Sequence, residues 1–381
     1  VDLVLTSYPL LWRDAMALQR QPWHLVLLDE AQMVKNAGSR TATAARRLNA
    51  RHRLCLTGTP LENHLGELWA QFHFLLPGYL GDARSFQRDW RTPIEKNGET
   101  QRAHLLAARV QPFILRRHKT TVATELPPLT AQIHRLPLLG AQRTLYESLR
   151  LAADERVRRV LDAQHFSGAM VSILDALLKL RQACNDPRLL DPRAAIGPTT
   201  DTGSSAKLAW LQATLPDLVA QGRRVLVFSQ FTRMLALVEA ELQALGLPYL
   251  LLTGDTPTAQ RAGVVAQFQA GAVPVFLVSL KAGGVGLNLT AADTVVHLDP
   301  WWNPAVEQQA SARAHRIGQT RPVSVYRLVA AGSIEERLLA LQQRKAALAD
   351  VVLGAAGKTS ASTALQPADV LALLAPLDTG G

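Results

Sequence analysis

The sequence predicts an α/β protein with two parallel sheets and a helical stretch between them. Three observations predict it. Short apolar runs alternate with helical segments over residues 1 to 75, strand signals nearly vanish from about 78 to 195, and alternation returns from 206. Strand–helix alternation implies parallel strands with helices packed on the sheet faces.

In the first block "DLVLTSY" (2–8), "HLVLLDEA" (24–31) and "HRLCLTG" (52–58) read as strands. "SRTATAARRLNA" (39–50) reads as a helix with a serine N-cap, and "ENHLGELWAQFHFLL" (62–76) as one stopped by Pro77. In the middle, 140–164 and 168–185 carry apolar residues at helical spacing, and "ELPPLT" (125–130) looks like a rigid connector. A Gly/Pro/Ser/Thr-rich loop (197–205) marks the next boundary. Beyond it, 223–231, 248–254, 273–280, 294–300 and 323–330 read as strands, with a helix capped by Thr232 and stopped by Gly246. The last long helix opens at Ser333, with Glu336 at capping-box spacing. The domains expected are 1–115, 116–200 (linker and helical protrusion), 201–354 and a loosely ordered tail, 355–381, weakly helical over 366–375.

With 381 residues the chain has room for two to three domains, and its apolar runs fall far short of the ~18 residues a membrane span needs. No membrane partner is expected, and nothing at the start resembles a signal peptide. Two cysteines, Cys55 and Cys184, make neither a disulfide framework nor a zinc site, so a reducing compartment is the default. The formal charge is +10, and only eight of the 41 basic residues are lysine. That excess of arginine favours bidentate phosphate contacts, although base composition of the genome produces it too. Nucleic acid is the favoured partner class.

Residues Leu25 to Leu28 run directly into Asp29 and Glu30. Paired acids at the carboxyl end of a buried parallel strand suit metal-assisted phosphate chemistry, one holding magnesium and the other activating water. In "WWNPAVEQQASARAHRIGQ" (301–319), Asn303 is a good N-cap, Pro304 suits the first helical position and Gly318 a stop. On that helix Gln309, Arg313 and Arg316 share one face, either a solvated surface or arginines aimed at phosphate oxygens. "SLKAGGVGLNLT" (279–290) is either a backbone cradle for a ligand or a tight turn. "LTGTPLEN" (56–63) supplies Thr57, Gly58 and Thr59 at another strand end; alone it would read as a plain helix start. Trp301 and Trp302 precede a helix and suit core packing or nucleic-acid contact equally.

Taken in order, "LLDEAQMVKN", "LTGTPLEN", "ELWAQFHFLLPGYLG", "PFILRRHK", "LRQACNDP", "VLVFSQFT", the 277–319 block and "VYRLVAAGSIEERLLALQQRK" resemble the Swi/Snf family of helicase-like ATPases in superfamily two, over roughly residues 1 to 353. The resemblance implies two RecA-like parallel-sheet lobes, the first one truncated, with a helical insertion between them. It implies ATP-driven movement along double-stranded DNA, with ATP and magnesium as cofactors and a DNA-bound protein complex as a further candidate partner. The implied location is the bacterial cytoplasm, at the nucleoid, or the eukaryotic nucleus. By position, Asp29 would hold magnesium and contact the nucleotide, and Glu30 would position or activate the attacking water. Arg313 and Arg316 would be arginine fingers, with Gln309 and Gly286 at the nucleotide. Thr57, Gly58 and Thr59 would couple the site to DNA movement. Ser229, Gln230, Lys281 and Trp302 match DNA-contacting segments. Two positions depart from the family: Ala312 where aspartate is usual, and Asp186 in "CNDP" where histidine is usual.

The phosphate-binding loop of such enzymes lies upstream of the acid pair. "GAAGKTS" (354–360) lacks the required glycine, having Val352 in its place, and reads as chance. The expectation is therefore the C-terminal portion of a longer ATPase, inactive by itself, or a non-catalytic DNA- or protein-binding module derived from one.

Overall fold

The computed structural model describes residues 2–58, 64–117, 119–163, 166–191, 193–194, 196–197, 205–283, 286–352 and 367–377. The chain forms two compact units, residues 1–116 with 343–365, and 117–342 with 366–381.

In the first unit β1 (Trp23–Leu28) and β2 (Ala50–Cys55) pair in parallel, from Trp23↔Ala50 to Leu28↔Cys55. Parallel neighbours need a crossover, and the helix Arg40–Arg46 supplies it. Ser39 caps that helix by accepting from Ala42 N–H. Alternation then sorts the strands: Val26, Leu28 and Cys55 face a core with Ala31, Val34, Ala45 and Phe74. The opposite side leaves Leu25, Leu27, Leu54 and Leu56 43–48% exposed, an open apolar sheet face. A second core gathers Leu65, Leu68, Phe72, Phe86, Ile94, Leu106 and Val110. The strand expected at 2–8 does not form. Residues 2–7 have no regular structure, and Tyr8–Arg13 is a helix, because Ser7 and Pro9 are helix-start residues.

The second unit is built on a six-stranded, all-parallel sheet in the order β3-β8-β7-β4-β6-β5. These strands are β3 (Leu129–Leu136), β4 (Val225–Ser229), β5 (Tyr249–Leu252), β6 (Val275–Ser279), β7 (Thr294–His297) and β8 (Val323–Ala330). Every residue of β4, β6 and β7 is buried, the pattern of parallel strands covered on both faces. β3 falls where the sequence suggests a connector running into a strand-poor region. Its Gln132, His134 and Arg135 mask the pattern, yet all eight residues pair with β8. Thr232 is the first residue of its helix and Phe231 the N-cap, one residue earlier than expected.

The helices Gly140–Ala163 and Phe166–Asn185 form a hairpin tied to this sheet by a buried polar network. Lys207 Nζ meets both oxygens of Glu335 at 2.7 and 2.8 Å and Asn185 Oδ1 at 3.2 Å, with Lys207 and Glu335 wholly buried. Glu335 also accepts from Ala330 N–H, Ser205 donates to Asn185 O, and Tyr146 accepts from Ile334 N–H. At the helix start, Ser333 Oγ accepts from Glu335 N–H while Glu336 reaches back to Gly332 N–H, a capping box displaced by one residue. Asp186, at the departed "CNDP" position, caps the turn Pro187–Leu189 and pairs with Arg188 at 2.8 Å.

The stretch of the tail expected to be weakly helical does form a helix, and its end is packed. Pro367–Leu373 is helical; Val370 and Leu373 on it, and Leu374 and Leu377 just beyond it, are buried. Arg150 donates to Leu374 O and Arg337 to Ala375 O.

Two predictions follow from these buried groups. Lys207→Met should destabilise the second unit by roughly 3–5 kcal/mol, because it strands a buried carboxylate. Lys207→Met with Glu335→Leu should recover most of that loss in urea unfolding. His297 is 1% exposed, and burial pushes its pKa down to about 3, with Arg327 adding to the shift. A depressed histidine takes its proton in the unfolded chain first, so stability falls as pH drops from 6.5 toward 3, by about 1.4 kcal/mol per pH unit. The stability advantage of wild type over His297→Asn should therefore shrink between pH 7 and pH 4. A constant difference would contradict the burial of a neutral imidazole.

Candidate functional site

In the first unit β1 ends at Leu28, and Asp29 and Glu30 follow at the carboxyl edge of the parallel pair. Leu56 N–H donates to Leu28 O (2.8 Å) and Ala31 N–H to Leu56 O (2.9 Å), so pairing continues past the strand ends and fixes the acidic turn. Glu30 sits at φ 49°, ψ 52°, and among the described residues it alone is a non-glycine with positive φ. A side chain there costs about 1–2 kcal/mol. The buried Ala31 and Val34 of the next turn hold it in place. Asp29 is exposed, with Oδ1 accepting from Glu30 N–H at 3.0 Å. Tyr8 donates its hydroxyl proton to Asp29 O at 2.5 Å, and burial, then Cys55, Asp29 and Glu30, raise the phenol's pKa.

A relay leads away from the acids. Gln32 Nε2 donates to Glu30 Oε2 (2.8 Å), and Thr57 Oγ1 donates to Gln32 Oε1 (2.7 Å). Thr57 and the adjacent Gly58 follow β2, so the relay joins two strand ends; Thr59 lies outside the described residues. Gln32 is the member that sequence reasoning did not single out. As a metal site the pair is sparse: among the described residues no three His, Cys, Asp or Glu groups gather. One or two hard carboxylates fit magnesium, which fills its octahedron with water and phosphate oxygens.

In the second unit three candidate residues come together at the carboxyl edge of the sheet. β4 and β6 end in register at Ser229↔Ser279, so Gln230 and Lys281 leave neighbouring strands. β7 flanks β4 on the other side, and Leu298 N–H donates to Phe228 O, which brings Trp302's segment alongside. In open parallel sheets this edge is where ligands bind. Lys281 is exposed, and Gln230 and Trp302 are half-buried. Ser229 is fully buried and donates to Asp299 Oδ1 at 2.5 Å, so its hydroxyl braces the turn that leads to Gln230. Gly286 is exposed at φ 44°, in a loop whose residues 284–285 lie outside the described residues.

The other candidate residues lie toward the opposite edge. The helix Pro304–Ser311 begins as expected, with Asn303 Oδ1 accepting from Ala305 N–H, but it ends well short of Gly318. Gln309 is on this helix, whereas Arg313 and Arg316 lie in the turns after it, so the single helical face predicted for all three is not formed. Beyond the helix the turns are tied to the neighbouring segment 289–292. Leu289 N–H takes Arg313 O (3.0 Å), and Gln319 Nε2 takes Ala314 O, Ala292 O and Thr290 O at 3.0, 2.7 and 3.1 Å. His315 Nε2 meets Pro127 O at 2.7 Å, just before β3. Arg313 is 8% exposed and Arg316 open to solvent. Lys119, unmarked by the sequence reading, donates to His315 O at 2.9 Å; desolvation, then Arg316 and Arg313, lower its pKa. Beside it a cavity of about 270 Å³ is lined by Lys119, Gln308, Ser311, His315 and Arg327 among others.

Comparison with known proteins accounts for both units. A model described as the SNF2-related domain matches residues 1–189, and one described as the helicase conserved C-terminal domain matches 206–318. The chain is 38% identical over 355 residues to YwqA of Bacillus subtilis, covering 92% of this chain and 38% of that protein. It is 37% identical over 361 residues to the Homo sapiens SWI/SNF-related matrix-associated actin-dependent regulator of chromatin subfamily A member 1, covering 92% and 34%. The chain thus spans little more than a third of these relatives. Among solved structures, the Sulfolobus solfataricus SWI2/SNF2 ATPase core in complex with dsDNA is similar at TM-score 0.50 and 31% identity, covering 92% of this chain and 73% of that one. The two parallel sheets are those of RecA-like lobes, and the chain belongs to the Swi/Snf (SNF2) family of helicase-like ATPases.

Proposed function

We propose that this chain forms part of an ATP-dependent motor that couples hydrolysis to movement along double-stranded DNA. The observation that carries it is the acid pair on a strained turn, with Glu30 linked through Gln32 to Thr57. A carboxylate held in place by its backbone and by one amide is preorganised to orient a water molecule. Asp29, exposed beside it, would hold magnesium together with the nucleotide's phosphates. The metal would supply charge neutralisation at those phosphates.

The remaining residues take roles by family position. Arg313 and Arg316 would stabilise charge on the transferred phosphoryl group, with Gln309 and Gly286 at the nucleotide. The Gln32–Thr57 relay, with Gly58 and Thr59, would transmit the state of Glu30 to the segment beyond β2. Gln230, Lys281 and Trp302 would meet the DNA backbone, and Ser229 would act only by bracing their loop. That the similar Sulfolobus core is a complex with dsDNA supports duplex DNA as the track. A DNA-bound protein complex is the proposed cargo.

Glu30→Gln in the full protein should lower DNA-stimulated phosphate release by about 10²–10⁴ while nucleotide binding persists. Arg316→Ala should cut turnover at saturating DNA and leave duplex affinity nearly unchanged. Normal turnover in the first variant, or lost duplex binding with intact turnover in the second, would remove the respective assignment. Duplex binding by the second unit should also weaken steeply between 50 and about 200 mM salt, through counterion release. A salt-independent affinity would argue against backbone contacts.

A further inference from the structure

We infer that Arg181 is a positioning residue that sets the place of Trp302, and so links the helical hairpin to the carboxyl-edge loops. Arg181 lies on the helix Phe166–Asn185, 2% exposed. Its Nη2 donates to Pro300 O at 2.6 Å. Its guanidinium carbon lies 5.6 Å from the Trp302 ring centroid and 5.9 Å from that of Phe231. One planar cation therefore touches the segment that carries Trp302 and the segment that follows Gln230.

What surrounds the guanidinium makes the contact with the rings decisive. Asp299, the nearby buried carboxylate, directs its oxygens to Ser229 Oγ and the Gln230 N–H. Among the described residues Arg181 has no ion pair within 4.0 Å, and its Nε finds no hydrogen-bond partner. The carboxylates of Asp299, Glu335 and Glu307 favour the charge from a distance, while the ring faces and one carbonyl fix where the guanidinium sits, and attraction to an aromatic face grows when water is excluded. Lysine would keep the charge, but an ammonium cannot lie flat against two rings while donating to a carbonyl. The sequence gives no periodic sign of this role, since Arg181 sits among apolar residues on a helix remote in the chain from residue 302.

This inference rests on the reading of Trp302 as a duplex contact, and the test separates the two. The chain is labelled with 5-fluorotryptophan, and the fluorine resonance lost in Trp302→Ala assigns that ring. In Arg181→Lys the Trp302 resonance should move or broaden, while the five tryptophans outside positions 301 and 302 keep theirs. Affinity for a short blunt duplex should fall about three- to thirtyfold. A Trp302 resonance at its wild-type position would overturn the inference. So would movement of all the resonances together, which would mean that Arg181 holds the fold and not the ring. If Trp302→Ala binds duplex as wild type does, the DNA reading of Trp302 fails, and the fluorine spectrum of Arg181→Lys still decides the positioning claim.

Discussion

The second unit depends on one charge pair from which water is excluded, Lys207 with Glu335. An ammonium and a carboxylate that are both fully buried can persist only if their remaining hydrogen-bonding capacity is met within the protein. Here the lysine's third partner is Asn185 at the end of the hairpin, and the carboxylate also takes the Ala330 N–H at the end of β8. The pair thus fixes where three remote parts of the chain meet: the hairpin, the helix Ala206–Ala220 and the sheet's exit into its last long helix. Hydrophobic contact alone would tolerate sliding among these elements. Four directional bonds to two charges do not.

On that fixed frame the candidate residues stand at two edges of the six-stranded sheet. Gln230, Lys281 and Trp302 stand at the carboxyl edge, whereas the turns carrying Arg313 and Arg316 are moored near Pro127, at the amino edge. The helix Pro304–Ser311 spans the interval, eight residues or about 12 Å. It is also anchored at both ends: Glu307 accepts from Trp301 N–H at 2.6 Å, and Ser311 meets His297 at 2.8 Å. Burial pushes the Glu307 carboxyl up to about 7, against the opposing pull of Arg327. In a motor of the kind proposed, a short braced rod is a suitable means of relating events at a nucleotide to events at a duplex.

The α/β class and the strands of the second sheet were legible because central parallel strands are apolar without interruption. β3 was not, since an edge strand need hide only one side and its polar residues conceal the rest. The strand expected at 2–8 shows the converse, an apolar stretch whose Ser-Tyr-Pro ending favours a helix start over a ladder. At the candidate site, Asp29 and Glu30 were legible from the junction of an apolar run with two acids. The left-handed Glu30 was not, because conformational strain is imposed by surrounding packing and leaves no trace in residue type. The break after Ser311 was equally hidden. The turns that follow are held by Gln319 and Leu289, which bond Ala314 O and Arg313 O from outside the segment the periodicity covers.

Gln319 carries a further consequence, for chemical ageing. The two protons of its amide nitrogen are shared among three carbonyls within 3.1 Å, and its oxygen accepts the Thr320 and Arg321 N–H groups, both at 2.9 Å. A carboxylate is nearly the same shape but has no proton to donate. Deamidation at this one position would set a charge against three carbonyl oxygens without changing the volume of the side chain. The damage would fall on the turns holding Arg313 and Arg316, while the sheet beneath kept its packing. A protein aged in this way would look folded by most global measures and have lost the order of the segment on which its chemistry is proposed to rely.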